Sequence, residues 1–81
     1  MTPRLVKADY VRDFTVRLRF ADGTEGEVDL SPELTGGVFE ALRDVEYFKQ
    51  LEINQDIRTL AWPNGADFAP EFLYEKSRVS A

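Results

Sequence analysis

The alternation of apolar and polar residues between Leu5 and Leu30 is the feature that most constrains this fold. Three runs repeat with a period of two, which is the pattern of β-strands that bury one face. These runs are Val6–Tyr10, Phe14–Phe20 and Gly26–Leu30. The short connections between them predict an antiparallel three-stranded meander with one dry face, which the rest of the chain has to cover.

The Asp22-Gly23 turn tests this prediction, because the length of a hairpin loop fixes which residues face each other. A two-residue loop would place Phe20 opposite Glu25 and would mix apolar and charged side chains on one face. A three-residue loop from Ala21 to Gly23, with Gly23 left-handed, avoids that conflict. The predicted pairs are then Phe20 with Thr24, Val16 with Val28, Phe14 with Leu30, Arg19 with Glu25 and Arg17 with Glu27.

The same argument makes residues 11–13 the loop before the second strand. Its predicted pairs are Tyr10 with Phe14, Ala8 with Val16 and Val6 with Leu18. Val6 is therefore expected on the buried face of the sheet.

Helix signals follow the third strand. Ser31 is expected to be the N-cap of a short helical turn, with Pro32 at its first position. A second apolar helical face is predicted over Val38–Leu42, and Asp44 is expected to cap a further turn over Val45–Phe48.

The chain then returns to extended character. Leu51–Ile53 and Ile57–Ala61 are predicted to form a second hairpin with a polar tip at residues 54–56, and Pro70 opens a last helix. The predicted class is α+β, an antiparallel three-stranded meander plus a second hairpin, with short helices covering one sheet face. We expect a single compact domain over residues 1–81, because a chain of this length has no room for a second core.

Composition narrows the chemistry. The chain has no histidine and no cysteine, so the commonest general base, the commonest metal ligand and every thiol are missing. We expect no cofactor. No apolar run approaches the ~20 residues of a membrane span, and the first residues lack the apolar core of a signal peptide. The sequence therefore predicts a cytoplasmic protein that does not bind membranes.

Charge argues against direct nucleic-acid binding, since the formal net charge is -5. The distribution is uneven, with a local +3 over residues 1–20 and -8 over the remainder. This basic stripe could serve an acidic partner. The favoured interpretation is that Arg17 and Arg19 pair with Glu27 and Glu25 across the sheet.

The stretch Trp62–Tyr74 holds the candidate interaction or ligand surface, which consists of Trp62, Asn64, Asp67 and Tyr74. Trp62 could be an exposed anchor, although a lone Trp at a strand end is more often a core residue. Asp67 could bind a ligand or act as a base, although a cap or a tie to loop amides is the favoured interpretation. Asn64 lies in a Pro-Asn-Gly sequence that is typical of a turn.

Three segments together resemble the small bacterial family of unknown function numbered 2442. They are VRLRFADGTEGEVDLSPEL, GGVFEALRDVEYFKQLEI and LAWPNGADFAPEFLYE, and the resemblance as a whole covers nearly the whole chain. The distinctive parts are the Phe-x-Asp-Gly hairpin at Phe20–Gly23, the run Gly37–Asp44 and the motif Trp-Pro-Asn-Gly-Ala-Asp at Trp62–Asp67. The chain departs from the pattern at Ile57 and Arg58, where relatives tend to carry glycine.

The resemblance implies a compact α+β domain with no established activity and no catalytic residue to carry over. Some relatives carry an added helix-turn-helix domain, and others lie beside a second small gene in an arrangement that suggests a toxin and antitoxin pair. Since the sequence ends at Ala81, we expect no DNA-binding module here. A partner-binding or regulatory role is what the resemblance implies.

Two hypotheses remain open. The first is an acidic protein-interaction or regulatory module, antitoxin-like, that docks a neighbouring-gene product through the sheet edge or the surface around Trp62 and Tyr74. The alternative is a small-ligand-binding protein or minor enzyme with a site around the Trp62–Asp67 loop. Homodimer formation through an exposed sheet edge is compatible with both.

Overall fold

The computed structural model describes residues 2–80, and side chains over residues 2–78. The α+β prediction is confirmed: a three-stranded antiparallel sheet in the order β1-β2-β3 is accompanied by a two-stranded sheet and short helices. The strands are β1 (Leu5–Arg12), β2 (Thr15–Phe20), β3 (Glu25–Asp29), β4 (Glu52–Asn54) and β5 (Thr59–Ala61). The helices are α1 (Val45–Phe48), α2 (Pro70–Ser80) and two 3₁₀ helices, Ser31–Glu33 and Gly37–Arg43.

The β2–β3 hairpin has the predicted register. Val16 lies opposite Val28, Arg17 opposite Glu27, and Arg19 opposite Glu25. Gly23 has a φ of 90°, as the three-residue loop requires. On the wet face, Arg17 contacts Glu25 at 3.1 Å and Glu27 at 3.8 Å, so much of the basic stripe is neutralised within the sheet.

The predicted β1–β2 register is wrong by two residues. The turn consists of Asp13 and Phe14 rather than residues 11–13, because Asp13 adopts a φ of 45° that shortens the connection. Tyr10 therefore lies opposite Val16, and Ala8 lies opposite Leu18.

A bulge also overturns the prediction for Val6. The register shifts between Leu5, which faces Phe20, and Lys7, which faces Arg19. The extra residue reverses the alternation, so Leu5 is 3% exposed and Val6 is 43% exposed.

Capping agrees with the sequence at one helix and differs at another. Asp44 accepts a hydrogen bond from the Glu46 amide at 3.1 Å, which confirms the predicted cap of α1. The predicted Ser31 N-cap is wrong: the Ser31 amide instead donates to Asp29 Oδ1 at 2.9 Å, and Leu30 is the cap position. An Asx turn at Asp29 therefore replaces the expected serine cap.

The second helical face is narrower than predicted because Gly37–Arg43 is a 3₁₀ helix with three residues per turn. Phe39 and Leu42, three residues apart, share the inner side, and Leu42 is buried. Val38 and Ala41 lie on the exposed side.

The second hairpin is also shorter than predicted. Residue Ile57, expected in a strand, lies in the turn and is 48% exposed. Asn54 closes this turn by accepting from the amides of Asp56 and Ile57 at 2.8 and 3.2 Å, and Arg58 has a φ of 55°.

Helix α2 packs against β3 at Gly26. A Cβ atom at that position would lie 2.6 Å from the backbone carbonyl oxygen of Ser77, so only glycine lets the helix come this close. The dry side of the sheet, including Val16, Leu18 and Val28, belongs to a core cluster that also contains Leu73 of the helix. None of the helices in residues 2–80 is long and apolar enough to cross a membrane.

Candidate functional site

The Trp62–Ala66 segment is a three-residue hairpin loop. The Trp62 amide donates to Ala66 O at 2.9 Å, and the Gly65 amide donates to Trp62 O at 3.0 Å. Pro63 presets the first turn position, and Gly65 has a φ of 91°. This geometry explains the Trp-Pro-Asn-Gly-Ala sequence as turn chemistry.

The loop repeats the design of the β2–β3 turn. There the Phe20 amide donates to Thr24 O at 2.8 Å, and the Gly23 amide donates to Phe20 O at 2.9 Å. In each loop an Asx oxygen accepts from the amide two residues later: Asp22 from Thr24 at 2.9 Å and Asn64 from Ala66 at 3.0 Å. Two unrelated stretches of sequence thus build the same hairpin.

The remaining Asx atom attaches each loop to a distant element. Asn64 Nδ2 donates to Val38 O at 3.0 Å and holds its loop against the second 3₁₀ helix. Asp22 Oδ2 accepts from the Tyr74 hydroxyl at 2.6 Å and holds its loop against α2. The candidate residues Asn64 and Tyr74 therefore have internal partners for their polar atoms.

The Tyr74–Asp22 hydrogen bond also affects acidity. The Tyr74 hydroxyl, followed by the Thr24 amide, lowers the pKa of Asp22 below its ordinary value because both donate to the ionised carboxylate. The Tyr74 ring packs edge-on against Phe20 with centroids 5.1 Å apart. This side chain therefore joins the core edge to an ionised surface group.

Trp62 lies in the core. It is 3% exposed, and its Nε1 donates to Phe48 O at 2.9 Å. Its ring belongs to a cluster of seven aromatic side chains linked by centroid distances of 5.1–6.1 Å. The others are Tyr10, Phe14, Phe39, Phe48, Phe68 and Phe72. Trp62 thus offers no exposed ring to a partner.

Asp67 is exposed and lies just after the loop, where its backbone bridges to Ala61. Within the described side chains its carboxylate makes no hydrogen bond or ion pair. The hairpin continues to Phe68, whose carbonyl accepts from the buried Thr59 hydroxyl at 2.7 Å. The four candidates therefore take separate positions. Trp62 lies in the core, Asn64 and Tyr74 make hydrogen bonds that join two elements, and Asp67 lies on the surface.

The family comparison places this loop in a wider context. The model of the family described as "Protein of unknown function (DUF2442)" matches residues 5–79. This chain belongs to the DUF2442 family. The match covers all five strands, the β2–β3 loop and the Trp62–Ala66 loop. No curated protein and no solved structure matches the chain.

Two adjoining open grooves lie along the start of β1 in this DUF2442 protein, and we call them the β1 grooves. The first, of about 380 Å³, lies towards the second hairpin and is lined by Arg4, Leu5, Val6, Ile53, Gln55 and Arg58. The second, of about 430 Å³, lies towards the β2–β3 turn and includes Lys7, Arg19, Phe20 and Gly23. The grooves meet at Arg4 and Val6, which line both.

None of the residues that line the β1 grooves belongs to the candidate surface that the sequence predicts around Trp62 and Tyr74. The sequence predicts Val6 in the core because Val6 and Lys7 alternate as in a regular strand. A bulge changes which way a side chain faces, but it leaves no mark in the order of apolar and polar residues. Arg58 was expected within a strand from Ile57 to Ala61. The one available signal was the basic stripe over residues 1–20, which contains Arg4, Lys7 and Arg19.

Proposed function

We propose that this DUF2442 protein is a protein-interaction module that docks its partner through the β1 edge of the three-stranded sheet. The observation that carries the proposal is the bulge at Val6, which directs an aliphatic side chain outward at the junction of the β1 grooves. Bulges commonly re-aim side chains at functional sites. A partner side chain seated in either groove would cover Val6 and remove apolar surface from water.

The internal ties of Asn64 and Tyr74 support an interaction role. Their polar atoms fix two hairpin loops against helices, and a fixed surface loses little conformational entropy when a partner binds. Asp67, exposed beside the Trp62–Ala66 loop, is a second contact residue in this proposal. The loop would then serve mainly to hold that surface in shape.

We extend the proposal to a regulatory, antitoxin-like role in which the partner is a small neighbouring-gene product. The support is the family resemblance, in which some relatives lie beside a second small gene.

The proposal is tested by co-expressing the tagged chain with the neighbouring-gene product and measuring the amount of complex recovered. Val6→Glu is compared with Val38→Glu, since the two side chains are 43% and 47% exposed and Val38 lies outside the β1 grooves. We expect the Val6 variant to lower recovery by about tenfold, as burying a charge in an interface does, and the Val38 variant to leave it unchanged.

Circular dichroism of both variants checks that each remains folded. Failure to recover any stoichiometric partner, both with this gene product and in a tagged pull-down from the native host, would contradict the interaction role. Recovery of a partner that tolerates Val6→Glu but not Asp67→Ala would move the docking surface to the Trp62–Asp67 loop.

A further inference from the structure

The β1 grooves are basic although the whole chain is acidic. Among the described side chains, those that line the grooves include four basic residues and no acidic residue. The four are Arg4, Lys7, Arg19 and Arg58. The full chain, by contrast, has 15 acidic and 10 basic residues. This separation of charge favours a negatively charged group in the grooves.

Two of these four cations are already paired. Lys7 Nζ lies 3.8 Å from Asp9, and Arg19 Nε lies 3.5 Å from Glu25. Arg4 and Arg58 take part in no ion pair within residues 2–78. Both line the first groove, where they come from different parts of the chain, before β1 and before β5.

Arg58 occupies its position against a local conformational preference. Its φ of 55° lies in the left-handed region, which glycine adopts freely but which L-residues other than Asn and Asp seldom adopt. The Arg58 amide donates to Asn54 O at 2.7 Å, so the hairpin turn fixes this conformation. A strained residue that brings an unpaired guanidinium to a groove is the kind of outlier from which a binding role can be inferred.

Beside the two arginines, Val6 offers an apolar surface that a ligand can contact. The aliphatic side chain lies at the junction of the grooves, while Arg4 lines both grooves and Arg58 lines the first. Guanidinium groups bind carboxylates through paired, directional hydrogen bonds. An extended segment that carries both acidic and aliphatic side chains matches these two kinds of lining residue.

We propose that the β1 grooves bind an extended acidic segment of a protein partner, with Arg4 and Arg58 contacting its carboxylates and Val6 contacting one of its aliphatic side chains. The inference rests on the proposed function and adds the chemistry of the partner. Arg4 and Arg58 select the negative charge of the segment. Val6, which the bulge exposes, selects its aliphatic residue.

The test uses a fluorescein-labelled peptide of alternating Asp and Leu, with an otherwise identical peptide of alternating Asn and Leu as its control. Fluorescence anisotropy of the full chain is expected to show saturable binding of the Asp peptide and at least about tenfold weaker binding of the Asn peptide. Raising the ionic strength from about 0.05 to about 0.3 M is expected to weaken the Asp peptide's binding, because exposed charge pairs are screened.

Arg4→Gln and Arg58→Gln are each expected to weaken binding of the Asp peptide by about fivefold. Arg43→Gln is the matched control, since it makes the same charge change on the second 3₁₀ helix, where Arg43 pairs with Glu40 at 3.7 Å. Amide chemical-shift changes on adding the Asp peptide are expected at Val6 and Arg58 and not at Val38.

Equal binding of the Asp and Asn peptides, or equal loss with all three arginine variants, would overturn the assignment. Tighter binding of a labelled oligothymidylate through Arg4 and Arg58 would also overturn it, in favour of a nucleic acid. A partner recovered by co-expression that binds the wild type, Arg4→Gln and Arg58→Gln equally would refute the acidic segment while leaving the interaction role intact.

Discussion

The Tyr74 hydroxyl makes the stability of this protein depend on pH through one surface carboxylate. The pKa of Asp22 is lowered in the folded chain, chiefly by the Tyr74 hydrogen bond, so the unfolded state takes up the proton first on acidification. The stabilising contribution is therefore complete above the ordinary Asp pKa of about 4 and is lost as pH falls through the lower folded value.

Tyr74→Phe is expected to remove most of this dependence. Urea unfolding at a series of pH values should show the variant less stable than the wild type at neutral pH, with the difference shrinking below about pH 4. Tyr47→Phe is the matched control, because the Tyr47 hydroxyl makes no hydrogen bond within the described residues. A Tyr74 difference that stays constant down to the acid limit would show that the lowered Asp22 pKa has another cause.

Ser77 is a second residue whose hydroxyl has a measurable effect. It is fully buried in α2, and its Oγ has no hydrogen-bond partner within the described residues. Since an unsatisfied buried polar atom costs about 1–3 kcal/mol, Ser77→Ala is expected to raise the free energy of unfolding by about 1 kcal/mol, helped by the higher helix propensity of Ala. Chemical unfolding measures this gain, and a loss of stability would indicate that buried water satisfies the hydroxyl.

Among the elements, α2 depends on the absence of a side chain at Gly26. In Gly26→Ala the new Cβ would lie 2.6 Å from the backbone carbonyl oxygen of Ser77. A backbone atom cannot move aside as the end of a flexible side chain can. We expect a loss of about 1–3 kcal/mol in the free energy of unfolding, with faster amide exchange in α2.

Gly23→Ala separates this clash from the general cost of replacing a glycine. A Cβ at Gly23 meets no atom within 4 Å, but the φ of 90° penalises alanine. It should destabilise the β2–β3 turn by about 1 kcal/mol and leave exchange in α2 unchanged. Equal effects of the two variants on α2 would argue against close packing at Gly26.

The strands show how far the sequence determines register. Residues 20–24 specify the β2–β3 register because a two-residue loop would mix apolar and charged side chains on one face. The three-residue loop keeps that face apolar, and Gly23 can adopt the conformation that this loop requires. At β1, the alternation around Ala8 and Tyr10 permits two registers that differ by a shift of two residues and bury the same side chains. The observed register goes with the tight Asp13 turn and the bulge at Val6, and the alternation of apolar and polar residues specifies neither of them.

The candidate site was predictable to a similar extent. The Trp62–Ala66 sequence specifies its turn, because Pro63 and Gly65 each fit only certain turn positions. The depth of Trp62 and the partner of Asn64 could not be deduced, since both depend on where α1 and the second 3₁₀ helix pack.

The second hairpin contains a strain that substitution can remove. Arg58→Gly is expected to raise the free energy of unfolding by up to about 1 kcal/mol, because glycine adopts a φ of 55° without the steric cost that arginine bears. Arg58→Ala removes the same side chain and keeps the strain, so the difference between the two variants in chemical unfolding isolates the backbone effect. An Arg58→Gly variant no more stable than Arg58→Ala would show that this turn costs arginine nothing.

At the scale of the whole molecule, Trp62 connects the second hairpin to the rest of the core. Its indole donates to Phe48 of α1, and its ring packs against Phe48 and Phe68. Phe48 in turn contacts Tyr10 and Phe14 of the β1–β2 region. This chain of aromatic contacts runs from one sheet to the other, so loss of either sheet would expose the side chains that stabilise its neighbour.

We therefore predict that the two sheets unfold together as one cooperative unit. Emission from Trp62, the single tryptophan, and far-ultraviolet circular dichroism should give coincident urea transitions. Trp62→Phe should shift the dichroism transition as a whole, with a loss of about 2–4 kcal/mol, because the Phe48 carbonyl keeps only the Leu51 amide as a donor and the core loses volume. Phe72→Leu, at the half-buried edge of the cluster, keeps that hydrogen bond and should cost less. Separated transitions in the wild type, or a Trp62→Phe variant that loses only part of its dichroism signal, would show that the sheets unfold independently.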